Sequence, residues 1–154
     1  MKSLFLVILV YTSVFMGSRA PCDKEDDRIT TENDSTMANG IIKITVNSKT
    51  FTATLLDNDS AKAFKELLPM TINMTELNGN EKYYDLPISL TTNSANPGSI
   101  KNGDLMLYGS KTLVLFYQTF STSYSYTKLG SIDDPTGLKE ALGTGNVSVT
   151  LDNY

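Results

Sequence analysis

From Ile41 onward, apolar residues recur mostly at every second position. Ile42, Ile44 and Val46 alternate with polar neighbours, Asn47-Ser48-Lys49 turns the chain, and Phe51, Ala53 and Leu55 alternate again against Thr50, Thr52 and Thr54. Period two on both sides of a turn predicts an antiparallel hairpin with one buried face. The period then changes. Ala61, Phe64, Leu67 and Leu68 fall on one side of a short helix predicted over residues 61–68, capped from Asp57-Asn58-Asp59-Ser60 and stopped by Pro69. The same Asp/Asn cluster lacks the central Gly and the later ligands of a calcium loop, which favours capping. Met70, Ile72 and Met74 return to strand spacing as far as Leu77-Asn78-Gly79-Asn80, where Asn-Gly marks a tight turn because both residues tolerate positive φ. Glu81-Lys82-Tyr83-Tyr84-Asp85 follows, then Pro87 and a polar loop over residues 91–97 that closes at Gly98.

The densest stretch lies between Gly103 and Gly130. Two apolar runs, residues 105–108 and 113–117, are joined by Gly109-Ser110-Lys111-Thr112, which predicts a central β-hairpin. Residues 121–129 alternate small hydroxyl side chains with Tyr124 and Tyr126, giving one aromatic and one polar face if extended. Asp133-Asp134-Pro135, with Asp as cap and Pro at the first helical position, starts a short helix carrying Leu138, Ala141 and Leu142, and Gly143 ends it. Val147, Val149 and Leu151 alternate in a last strand. Seven or eight strands, two short helices and no recurring strand–helix–strand rhythm predict a mainly β fold, a closed antiparallel barrel with helices at its ends.

Before Ile41 the pattern differs. Met1-Lys2 is followed by an apolar run of residues 4–16, broken only by Thr12 and Ser13. That length suits a signal peptide and falls short of the roughly 20 residues of a membrane-spanning helix. Ser18-Arg19-Ala20 fits a small-x-small cleavage pattern, but Pro21 directly after it hinders ordinary cleavage. Residues 17–22 resemble a bacterial lipoprotein signal, in which Cys22 becomes the lipidated first residue, although Pro21 and Arg19 depart from the usual pattern. Residues 23–40 are almost wholly polar and cannot bury enough surface to offset ordering entropy. The expected organisation is a signal segment over 1–21, a flexible acidic tether over 22–40 and a barrel domain over 41–154. The expected location is the bacterial cell envelope, anchored to a membrane only through the lipid, with secretion as the alternative.

Composition narrows the chemistry. The chain has 154 residues, 40% of them hydrophobic and 19% charged, enough for one domain with a real core. Beyond Cys22 there are 11 basic residues against 17 acidic ones, with no basic cluster of the kind nucleic-acid binding requires. There is no His, the one Cys is Cys22, and both arginines, Arg19 and Arg28, precede the predicted domain. Residues 41–154 therefore cannot run a Ser-His-Asp or Cys-His mechanism, offer no imidazole or thiolate to zinc, and hold no guanidinium for bidentate recognition. No cofactor or metal is expected. The available chemistry is that of Asp, Glu, Lys, Tyr, Ser, Thr and Asn.

Four segments carry a resemblance: TATLLDNDSAKAFKELLP, LNGNEKYYDLP, GDLMLYGSKTLVLFY and TSYSYTKLGSIDDPTGL. Together they resemble the bacterial cyclophilin-like domain family over residues 41–151. The resemblance implies an eight-stranded β-barrel capped by helices and much less about activity. Cyclophilins twist the X-Pro bond with an Arg aimed at the proline nitrogen, and residues 41–154 have none. Lys82 or Lys128 could supply a charge but not a planar fork. The resemblance further implies a conceivable flavodoxin-like redox partner, although the sequence carries no flavin motif.

Two classes of function remain open. One is a binding module that holds a peptide or small molecule at an aromatic, hydroxyl-rich surface, with Asn78, Asn80, Glu81, Lys82, Tyr83, Tyr117, Tyr124 and Tyr126 as candidate contacts. The same residues could equally be a turn and cross-strand packing. The other is an enzyme, of prolyl isomerase type or using Glu81 and Lys82 as acid and base.

Overall fold

A computed structural model describes residues 40–154; the signal segment, Cys22 and the tether lie outside the described residues. The elements run β1 (Ile41–Val46), β2 (Lys49–Leu55), α1 (Asp59–Lys65), β3 (Met70–Leu77), β4 (Glu81–Asp85), β5 (Ser99–Ile100), β6 (Asp104–Tyr108), β7 (Thr112–Phe116), β8 (Phe120–Ser121), β9 (Thr127–Ile132), α2 (Leu138–Leu142) and β10 (Val147–Asn153). Eight strands close into a barrel in the order β1-β10-β3-β4-β7-β6-β9-β2, and β5 pairs with β8 in a small separate sheet. All of these pairings are antiparallel. Closure leaves the barrel strands without an unpaired edge.

Register explains how the alternation builds the interior. Ile44 lies opposite Phe51 on β2 and Leu151 on β10, and Val46 lies opposite Val149. Residues directly opposite one another share a face, so these positions converge inside the barrel, where Ile42, Ile44, Val46, Ala53 and Val149 are completely buried.

The apolar runs of β6 and β7 are continuous for a different reason. Leu105, Leu107, Leu113 and Leu115 point into the barrel core, whereas Met106, Val114 and Phe116 point outward. Outside, they meet Ile100 and Tyr126 in a second apolar cluster, with Tyr83 and Phe120 packed against it. The β5/β8 sheet contributes Ile100 and Phe120 to that cluster. A strand buried on both faces needs apolar residues at every position.

Local chemistry shifts three predicted elements. Asn58 caps α1, its Oδ1 accepting from Ala61 N at 2.8 Å, so the helix starts two residues before Ala61. It gives way after Lys65 to tighter turns, Leu67 N to Phe64 O and Leu68 N to Lys65 O, before Pro69. α2 begins later than predicted. Asp134 accepts from Thr136 N at 3.0 Å in a turn that includes Pro135, and Gly137, at φ 78°, occupies the N-cap position without a side-chain cap. Residues 122–126 are not a strand either, because Tyr124 N donates to Thr122 Oγ1 at 3.1 Å and bends the chain away from the ladder.

One glycine is required by close approach. Gly130 on β9 lies opposite Leu55 on β2. A Cβ there would come within 2.8 Å of Leu55 Cα and closer still to the Thr54 carbonyl oxygen.

Candidate functional site

The turn between β3 and β4 builds one wall of the site. Asn78 and Gly79 adopt φ of 57° and 71°, and Asn80 N donates to Leu77 O at 3.3 Å, the hairpin geometry that Asn-Gly encodes. The turn is tied down from both sides. Gly79 N donates to Glu76 Oε1 at 2.9 Å, Gln118 Nε2 donates to Gly79 O at 2.6 Å, and Tyr117 N donates to Asn80 O at 3.0 Å. The turn therefore projects from a braced position.

Beyond it, alternation on β4 sorts the candidate residues. Lys82 points inward and is completely buried, while Glu81 and Tyr83 point outward. Tyr83 lies opposite Val114, which lies in turn opposite Met106, so the three form a row across the outer face. Glu81 lies opposite Phe116 on the same face. Burial pushes the Glu81 carboxyl above its ordinary range, and the Glu76 carboxylate adds to the shift.

A cavity of about 450 Å³ opens over this row. Its first wall is Leu77, Asn78, Asn80 and Glu81; its floor is Tyr83 and Val114; its far wall is Tyr108, Tyr124 and Tyr126 with Phe120. The hydroxyls of Thr112, Ser121, Thr122 and Ser123 edge it. The Tyr108 ring meets Tyr124 edge-on at a centroid distance of 6.3 Å and Tyr126 at 5.7 Å. Phe116 braces the group from below, 5.5 Å from Tyr126 and 5.7 Å from Phe120. Tyr126 is 9% exposed and Tyr124 62% exposed, so the former is part of the wall's foundation and the latter its rim in contact with solvent. Burial first, and then the Glu81 charge, raises the Tyr126 phenol above its ordinary value, which keeps it protonated.

The cavity thus brings together six of the eight candidate contacts: Asn78, Asn80, Glu81, Tyr83, Tyr124 and Tyr126. Lys82 and Tyr117 belong elsewhere. Lys82 Nζ bonds the Glu76 carboxylate and donates to Gly143 O at 2.9 Å and Gly145 O at 2.6 Å, which fastens the loop after α2 to the barrel. Tyr117 donates its hydroxyl to Glu76 Oε1 at 2.8 Å, and its ring lies 5.5 Å from Lys82 Nζ. Burial and the Glu76 carboxylate push the Tyr117 phenol strongly upward. At Glu76, burial works to raise the pKa, but the bonds from Lys82, Tyr117 and Gly79 outweigh it and hold the carboxyl below its ordinary range.

Glu81 and Lys82 therefore face opposite sides of the sheet and do not share a reaction centre. Lys128, the other candidate charge, pairs with the buried Asp104 at 2.8 Å.

Sequence reasoning missed the contributions of Tyr108, Leu77, Val114 and Phe120. Tyr108 was readable only as the end of an apolar run; it is the last residue of β6, opposite Thr112, and is exposed. A second depression, about 820 Å³, lies between α1 and the end of β2, at the point where the chain leaves the described residues at Gly40.

The sequence profile of the cyclophilin-like family matches residues 44–152. The fold is similar to the solution structure of a hypothetical protein from Archaeoglobus fulgidus, with a TM-score of 0.58 and 17% identity over 74% of this chain and 94% of that one. No curated protein matches the chain.

Proposed function

Because the chain belongs to the cyclophilin-like family, and because its exposed apolar side chains gather at one cavity, we propose that it is a binding module whose ligand sits on the outer face of β4, β7 and β6. One observation carries this reading. Among the described residues six large hydrophobic side chains are exposed, and three of them, Leu77, Tyr108 and Tyr124, line the same cavity. Exposed apolar groups scattered singly need no explanation, whereas a convergent set at a concave site with polar edges is what ligand sites are made of. Asn78 and Asn80 add amide side chains to the cavity's polar edge.

The module is an exported one, held to a membrane of the cell envelope through lipid on Cys22. The apolar run of residues 4–16, the lone cysteine shortly after it and the acidic segment that follows support this part of the reading.

The domain acts without prolyl isomerase activity. Lowering a barrier of about 18–20 kcal/mol needs a donor aimed at the twisting amide. The lysines near the sheet do not supply it, because Lys82 is buried against Glu76 and Lys128 is paired with Asp104.

The test combines a screen with one variant. Peptides and small molecules are screened by thermal shift, and hits are titrated against wild type and Tyr124→Ala. The variant should leave the melting temperature within a degree or two, because Tyr124 is largely exposed, and weaken binding by about 2 kcal/mol. Hits bound equally by both proteins would overturn the assignment of the site. A proline-peptide assay is expected to show no rate above background, and clear catalysis would overturn that part of the reading.

A further inference from the structure

We propose that the cavity accepts an organic cation, an alkylammonium or guanidinium group, between the rings of Tyr108, Tyr124 and Tyr126 and the carboxylate of Glu81. This rests on the binding reading above and narrows it to a chemical class.

The first argument is the charge of the walls. Glu81 is the one carboxylic acid lining the cavity, and no lysine or arginine lines it. Lys62 pairs with Asp57, Lys82 with Glu76, and Lys128 with Asp104, and none of these pairs involves Glu81. Its carboxylate is half-buried opposite Phe116, and the charge that acts on it is another carboxylate, that of Glu76. A group placed this way lacks the partner that a desolvated charge ordinarily has. An incoming cation supplies it, and an incoming anion repeats the conflict.

The second argument is the shape of the aromatic wall. Tyr108 stands between Tyr124 and Tyr126, at centroid distances of 6.3 and 5.7 Å, in edge-on and tilted contacts, and all three line the cavity. Ring faces are the negative part of an aromatic quadrupole and attract ammonium and guanidinium groups within about 6 Å. A neutral apolar ligand would use these rings for contact area alone, and would leave Glu81 without a partner. A cation bearing N–H groups answers both features at once.

The same chemistry has two sources, a basic side chain of a polypeptide or a free amine, and the experiment separates them. The full chain, labelled with nitrogen-15, is titrated with capped Gly-Lys-Gly, Gly-Arg-Gly, Gly-norleucine-Gly and Gly-Glu-Gly, and with n-butylamine. The Lys or Arg peptide is expected to bind about tenfold tighter than the norleucine peptide, with shifts at Tyr108, Tyr124 and Tyr126. Glu81→Gln should bring the Lys or Arg peptide down to the norleucine level. Butylamine binding as tightly as the peptides supports a free amine, and preference for the peptides supports a basic side chain. Norleucine or Glu peptide binding in the cavity as tightly as Lys and Arg, with Glu81→Gln without effect, overturns the cation and leaves the binding site standing. Failure of both cationic peptides to shift cavity resonances at roughly 10 mM overturns the cation as well. Shifts by every probe only at residues away from the cavity overturn both readings.

Discussion

Lys82 is a cation with no exposed surface, and its partners determine how one end of the barrel answers to pH. A buried charge is tolerable only when it is paired and fully hydrogen-bonded, and here a carboxylate and two backbone carbonyls meet that demand. Removing the Glu76 charge leaves the ammonium uncompensated, so Glu76→Gln is expected to cost about 3–5 kcal/mol at pH 7. The carboxyl of Glu76 lies below its ordinary value of 4.5 in the folded chain. Its contribution is therefore complete above that value and is lost as pH falls through the lower, folded value. Denaturant titrations at pH 7 and pH 3 should show the cost of Glu76→Gln shrinking at the acid end, and an equal cost at both would mean that packing and not charge is involved. Glu81 has the opposite sign. Its folded pKa is raised, so ionising it costs stability as pH rises through that value, and Glu81→Gln should leave the fold at least as stable at neutral pH.

At the scale of elements, β7 carries two cores on one strand. Leu115 faces the barrel interior and Phe116 the outer cluster beneath the cavity, and both are essentially inaccessible to solvent. Leu115→Ala and Phe116→Ala should each destabilise by roughly 2–5 kcal/mol. The two differ in what else they disturb. Phe116 touches Tyr126 and Phe120, so its truncation should also loosen the cavity wall and weaken ligand binding, while Leu115→Ala should spare binding once the loss of folded protein is allowed for. Melts of both variants within a degree or two of wild type would show that the hairpin is not central. The barrel strands were legible because Ile42, Ile44 and Val46, or Val147, Val149 and Leu151, bury one face only, and alternation is the direct imprint of that. The outer cluster was not legible. Ile100 and Phe120 come from segments to which the alternation assigns no strand, and only the pairing of β5 with β8 brings them over β6 and β7, while Tyr126 joins them through its bridge to Ala95. The same holds for the site. Asn-Gly announced its turn and placed Asn78, Asn80 and Glu81 together, but nothing local distinguishes Tyr117, which points inward to Glu76, from Tyr108, which points out.

The whole chain joins a closed barrel to an amino-terminal part of quite different composition. No helix among the described residues is long and apolar enough to cross a membrane. The segment before Gly40 offers one chemical handle, Cys22, placed after an apolar run too short to span a bilayer and before a polar stretch that opens with acidic residues. A thiol there would be lipidated at the first residue of the mature chain, and the next eighteen residues, to Gly40, would set the distance between lipid and barrel. Each buried CH₂ of an acyl chain contributes about 0.8 kcal/mol, so one chain binds reversibly while two or three hold the protein to the membrane. The acidic residues after Cys22 add no attraction to an anionic lipid surface, which leaves the acyl chains as the source of anchoring. Cys22→Ser expressed in a bacterial host is thus expected to move the protein from the membrane fraction to the soluble fraction, while the barrel's thermal melt stays unchanged because Cys22 lies outside it. Unaltered membrane partitioning of the variant, or a mature amino terminus at Pro21 in the wild type, would overturn the lipid anchor.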